Sequence, residues 1–116
     1  MGKSQKTTTA HRQIRISNQA LQNINEAIGY IAFVAHAPKT AVKVGDVVFA
    51  TIDRIAKNPL AFKECEELPT KARMYRRALC YSWVLIYRVT ESEIIILGLI
   101  HAARRPSAIR KLRRIK

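Results

Sequence analysis

A chain of 116 residues, 48% of them hydrophobic, is long enough to bury one core, too short for two domains of ordinary size, and unlike a disordered polymer in composition. Its formal net charge of +13 makes a small domain repel itself, which points to partners that are polyanions, anionic membranes or acidic proteins. No apolar run is long enough to span a bilayer, the longest being Ile94 to Ile100, and residues 1–13 lack the apolar core of a secretory signal, so a cytoplasmic location is expected.

Residues 1–11 are polar and read as a flexible leader. Arg12 to Ile16 alternates polar and apolar side chains, the signature of a short strand. Ser17 or Asn18 is then placed to cap a helix in which Leu21, Ile24, Ile28 and Ile31 recur at helical spacing, ending near His36 before Pro38. A second helix begins near Lys39, with Val44, Val48, Thr51, Ile52 and Ile55 as its buried stripe, and stops at Asn58-Pro59. The short connection implies an antiparallel helical hairpin. Residues 58–72, with Pro59, Pro69 and three glutamates, read as a loop. Three strands follow: Met74 to Cys80; Ser82 to Val89, with Trp83, Leu85, Tyr87 and Val89 on one face; and Ile94 to His101, apolar on both faces and so central in its sheet. Thr90 to Glu93 is the hairpin turn. The end of the chain reads as a basic tail, helical from Ser107, with Ile109, Leu112 and Ile115 along an apolar edge. The fold class is therefore α+β: a small, mostly antiparallel four-stranded sheet packed against a helical hairpin, with a basic C-terminal tail.

Charge is placed unevenly. All eight acids lie between Glu26 and Glu93, whereas Arg104, Arg105, Arg110, Lys111, Arg113, Arg114 and Lys116 follow the last of them. Clustering of this kind outweighs the ordinary reading of scattered solubilising cations. Cys65 and Cys80 form no CxxC pair and no zinc spacing, and read as reduced thiols; neither a metal nor a cofactor is expected. No glycine-rich phosphate loop exists among four glycines.

The stretch from Met74 to Pro106, MYRRALCYSWVLIYRVTESEIIILGLIHAARRP, carries a resemblance. An aromatic-Arg pair enters a strand at Tyr75-Arg76-Arg77; a strand ends in Tyr87-Arg88-Val89; an acidic turn follows; and an Ile-rich strand runs into His101 and a basic cluster. In this order of features the chain resembles the RelE/ParE superfamily, the toxins of type II toxin-antitoxin systems, also called plasmid stabilisation proteins. The likeness covers roughly residues 12–112, and it implies a leader over 1–11, a toxin domain over 12–104 and a basic tail over 105–116. It also implies growth arrest, an acidic antitoxin and a toxin-antitoxin hetero-oligomer.

Two activities occur in that superfamily. ParE-like members inhibit DNA gyrase and are not enzymes; RelE-like members are metal-independent endoribonucleases that cut mRNA on the ribosome. A ribonuclease must activate the ribose 2′-OH, stabilise the phosphorane and protonate the leaving oxygen. The residues that the resemblance offers for this are His101 and Arg104 at the end of the last strand and Arg76 or Arg77 on another. Binding roles fall to Lys63, Lys71, Arg73, Arg105, Arg110, Lys111 and Arg113. Against each stands a plainer role: His101 as a strand-ending residue satisfied by backbone, Tyr87 as a packed core tyrosine, and one of Arg76 and Arg77 as a surface residue, since alternation sends the pair to opposite faces. RelE-like sequences often place a Tyr shortly after the last strand, and here no Tyr follows Tyr87. That absence, with the His-x-x-Arg-Arg ending, favours the ParE-like expectation of gyrase inhibition over the ribonuclease.

Overall fold

One strand is apolar between its ends and needs cover on both faces. In a computed structural model that describes residues 12–103 and 106–116, that strand is β5 (Glu93–His101). The other strands are β1 (Gln13–Ile16), β2 (Lys63–Glu64), β3 (Tyr75–Cys80) and β4 (Trp83–Val89). The helices are α1 (Asn18–Gly29), α2 (Pro38–Lys57) and α3 (Pro106–Arg110); a single-turn π-helical stretch, Tyr30–Val34, continues α1, and 3-10 turns lie at Pro59–Ala61 and Lys111–Arg114.

The sheet has five strands in the order β1-β5-β4-β3-β2, and it is mixed. This corrects the expected count of four. The two-residue β2 pairs with β3 inside what reads as loop, too short to show a period of two. The strand at β1 was expected, but its pairing is parallel: Gln13 to Ile16 lie beside Glu93 to Ile96, while β2-β3, β3-β4 and β4-β5 are antiparallel. The long crossover through the hairpin and β2 to β4 is what allows a parallel pair.

The helical hairpin covers one face. Ser17 caps α1, its Oγ accepting from Ala20 N–H at 3.0 Å and donating to Leu97 O at 3.1 Å, so the cap also bolts the helix to β5. Ile24 and the Val44, Val48, Ile52 and Ile55 stripe pack on Leu85, Tyr87, Val89, Ile94 and Ile96. Leu21, expected in the stripe of α1, is exposed; Ala20 and Ala27 are buried in that face instead. The α-helical part of α1 stops at Gly29 rather than near His36, and the π stretch carries the chain to Val34. Tyr87 donates its hydroxyl hydrogen bond to Pro59 O from within this core, and burial pushes its pKa well up.

The second face is not bare. Ile86, Ile95 and Leu97 on this side are buried with Cys65, Leu68 and Tyr75, and with Leu112 from the chain's end. Ile109, Leu112 and Ile115, the expected apolar edge, all turn onto it. Arg88 Nη1 donates to Ile115 O at 2.8 Å, and Arg15 Nη2 to Lys116 O at 2.6 Å. Residues 106–116 are thus a cap on the sheet.

A bulge interrupts the β4-β5 ladder. Ile86 pairs with Gly98 and Tyr87 with Ile96, leaving Leu97 as the extra residue. Leu99 N–H beside it donates to Asn23 Oδ1 of α1 at 3.2 Å. A Cβ on Gly98 would fall 2.9 Å from that oxygen and 3.1 Å from both Leu112 methyls, so glycine is required for space. No helix among the described residues is long and apolar enough to cross a membrane.

Candidate functional site

The sheet register decides which candidate side chains meet. Cys80 pairs with Trp83, and Trp83 with His101, so His101 stands at the end of the sheet where the β3-β4 turn lies. Arg76 is level with Tyr87 and Ile96, five residues back along β5 and two strands away. At about 3.3 Å per residue and about 4.8 Å per strand, the two backbones are roughly 19 Å apart. Arg77, level with Gly98, is nearer along the strand but also lies across β4. The intervening β4 thus keeps His101 from sharing a sheet edge with either arginine. Arg104 and Arg105 lie outside the described residues.

His101 and Arg76 each have local partners. His101 Nδ1 accepts from Ala103 N–H at 3.1 Å, which leaves the proton of the neutral ring on Nε2. Its ring meets Trp83 edge to face, centroids 4.9 Å apart at 84°. Arg76 lies on the hairpin side with Tyr87; its Nη1 donates to Leu60 O at 3.2 Å and Phe62 O at 2.8 Å, and its Nε to Arg73 O at 3.2 Å. Those bonds hold the loop before β2 against the sheet. Arg77 alternates to the second face, beside Lys63 of β2.

Two surfaces gather the remaining chemistry. The first is a cleft of about 970 Å³ between the mouth of the hairpin and the end of the sheet, lined by Glu26, Tyr30, Lys43, Tyr81, Trp83 and His101 among others. Tyr30 and Tyr81 of its lining are exposed, and Phe33 and Val34, exposed as well, follow Tyr30 in the chain. Tyr81 sits in the tight turn joining β3 to β4 with φ of +55°, a left-handed conformation that costs a bulky side chain free energy. Val42 and Phe49 extend the apolar surface along the outer side of α2, seven residues apart and so on one helical face.

The second surface is basic. Lys71, Arg73, Arg110, Lys111 and Arg113 are all exposed, in the loop before β3 and the C-terminal cap. Arg113 lies over the Tyr75 ring at 5.8 Å and donates to Pro69 O at 3.4 Å, joining the two segments. Arg73 approaches Glu64 at 4.0 Å. Lys63 belongs to the edge strand β2. Of the residues expected to bind, those of the loop before β3 and of the C-terminal cap thus lie on segments in contact through Arg113, and Arg105 is not described.

Sequence reasoning missed the exposed apolar side chains of α2 and the conformation of Tyr81. Val42 and Phe49 lie opposite the Val44 to Ile55 stripe and were visible as a second apolar face of α2. The left-handed Tyr81 leaves no sequence signal, since Asn or Gly is the usual occupant of such a position.

No curated protein matches the chain. Among solved structures, the fold is similar to one described as the chromosomal ParDE TA system from P. aeruginosa, with a TM-score of 0.63 at 16% identity over 79% of this chain and 97% of that one. At that identity the likeness concerns the fold. A family model does match by sequence, the ParE toxin of the type II toxin-antitoxin system parDE, over residues 14–106. From β1 to the start of α3, the chain therefore belongs to the ParE toxin family.

Proposed function

We propose that this ParE-family toxin arrests growth in the cytoplasm by binding DNA gyrase as a protein ligand, without catalytic chemistry of its own. The observation that carries this reading is the separation of His101 from Arg76. Arg76 is committed to the carbonyls of Arg73, Leu60 and Phe62, and His101 Nδ1 to Ala103 N–H, on strands separated by β4. General acid-base catalysis needs its groups within hydrogen-bond reach of one substrate. Binding a protein needs only aromatic anchors and complementary charge, and the cleft with Tyr30, Tyr81 and Trp83 supplies anchors.

The antitoxin is an acidic chain whose amphipathic segment fills the same cleft, its carboxylates facing Lys43 and the net charge of +13. Toxin bound in this way has its aromatic anchors covered, so neutralisation and target binding exclude one another.

Supercoiling of relaxed plasmid by purified gyrase tests the target, run beside cleavage of mRNA on stalled ribosomes. The toxin is expected to block supercoiling and leave mRNA intact, and His101→Ala to keep that block within a few-fold. Cut mRNA, lost in His101→Ala, with supercoiling untouched, would replace this reading by the ribonuclease.

A further inference from the structure

Much of the exposed apolar surface lies on the hairpin side and the densest positive charge on the second side, where Leu79 of β3 is an exposed apolar exception. The hairpin side, residues 18–57, holds four cations against three acids, so it is close to neutral. It also presents Phe33, Val34, Val42 and Phe49. The C-terminal cap over the second sheet face, residues 106–116, holds five cations and no acid. Its apolar side chains, Ile109, Leu112 and Ile115, are turned inward, which leaves Arg110, Lys111, Arg113 and Arg114 outward and exposed. Lys71 and Arg73 from the loop beside it extend the same surface, joined through Arg113 and Pro69. Among the described residues, Arg110, Lys111 and Arg114 make no side-chain hydrogen bond or ion pair.

We propose that this capped second face docks on the phosphodiester backbone of duplex DNA. The inference goes beyond gyrase binding and rests on charge placement alone. Protein partners are anchored by buried aromatic and aliphatic side chains, and the cap keeps its own inward. A surface of arginine and lysine, without exposed aromatics on which bases stack, suits phosphates of a duplex rather than an unpaired strand. Tyr75, the aromatic nearest the surface, is buried beneath Arg113. Anchoring gives the cations their effect: Leu112 fixes the segment, so less conformational entropy is lost when Arg110, Lys111 and Arg114 meet a phosphate row.

The test uses the full chain and a fluorescein-labelled 20-base-pair duplex of arbitrary sequence, with anisotropy read across a salt series. Two triple variants are compared, Arg110→Gln/Lys111→Gln/Arg114→Gln and the charge-matched Lys39→Gln/Lys43→Gln/Lys57→Gln on α2. All six positions are exposed, and circular dichroism confirms that each variant is folded. The cap variant is expected to bind at least ~10-fold more weakly near 100 mM salt, with a log-log salt slope shallower by about 2.7, from ~0.9 per phosphate contact. The α2 variant is expected to keep the parental slope within about 1. Equal losses in the two variants would overturn the proposal, because net charge alone would then explain binding. So would tighter binding to the single strand of the same length, or no binding by the parental chain at 100 mM salt. None of these outcomes depends on whether gyrase is the target.

Discussion

Leu112 is the side chain that turns a basic terminus into a cap, and its truncation to alanine is the most informative perturbation of this fold. Leu112 is 4% exposed and packs with Ile95, Leu97 and Tyr75 over the second sheet face. Leu112→Ala removes three carbons, about 2.4 kcal/mol at ~0.8 kcal/mol per buried methylene. The short cap relaxes more readily than a core helix, so the cavity term is small and the loss stays near the low end of the ~2–5 kcal/mol seen for such changes. In a domain of this size that lowers the melting midpoint by roughly 10–20 °C, at ~4–8 °C per kcal/mol. The loss is also capped: once it exceeds the docking free energy of residues 106–116, the segment detaches and the remaining domain melts on its own. Differential scanning calorimetry on Leu112→Ala and on the exposed control Arg110→Ala measures the first effect. Hydrogen exchange at the Ile115 amide, which bonds to Leu112 O at 3.1 Å, measures the second. A midpoint within about 3 °C of the parent, with Ile115 still protected, would refute the reasoning that Leu112 anchors the cap.

Gly98→Ala should destabilise by about 1–3 kcal/mol in chemical denaturation, because its methyl meets Asn23 Oδ1 at 2.9 Å and displaces the acceptor of Leu99 N–H; an unchanged midpoint would contradict the close approach. Burial, with a smaller contribution from the charge of Glu67, raises the Cys65 thiol from 9.0 to about 11. A raised folded-state pKa means stability present in full below pH 9 and lost as pH climbs toward 11, and Cys65→Ala should flatten the stability-pH curve in that window alone. Tyr81→Asn should raise stability by about 0.5–1 kcal/mol, since Asn tolerates the left-handed turn, while weakening inhibition of the target by removing an exposed aromatic; a loss of stability would show that Tyr81 is held by packing and not strained.

Local periodicity carried much of this architecture. The α2 stripe from Val44 to Ile55 is buried as its spacing dictates, and Trp83, Leu85, Tyr87 and Val89 share one face as alternation requires. The two-faced burial of β5 followed from seven consecutive residues, Ile94 to Ile100, without a polar side chain. Long-range pairing was not legible. Nothing in Gln13 to Ile16 names Glu93 to Ile96 as its partner, and nothing in Lys63-Glu64 marks a fifth strand. The candidate site suffered for the same reason. His101 and Arg76 each sit near a strand end in the sequence, and only the register reveals that the ends are opposite ones with β4 between them. The basic residues that do gather, Lys71, Arg73, Arg110, Lys111 and Arg113, are brought together by Leu112 and Tyr75, whose burial comes from contacts about forty residues apart.

The parallel pairing of β1 with β5 also sets an order of events during synthesis. The first strand to leave the ribosome waits for a partner that begins eighty residues later, at Glu93. Until β5 emerges, the buried faces of Leu85 and Tyr87 have no neighbour on that side, and the hairpin has lost much of the sheet that it covers. Closing so long a loop is slow in a small domain, because its entropy must be lost before the contacts form. A nascent or prematurely terminated chain therefore holds no completed sheet and no cleft, whose far wall is Leu99, Ile100 and His101. The cleft is therefore a late product of folding, complete only when β5 has joined the sheet and brought Leu99, Ile100 and His101 opposite the hairpin.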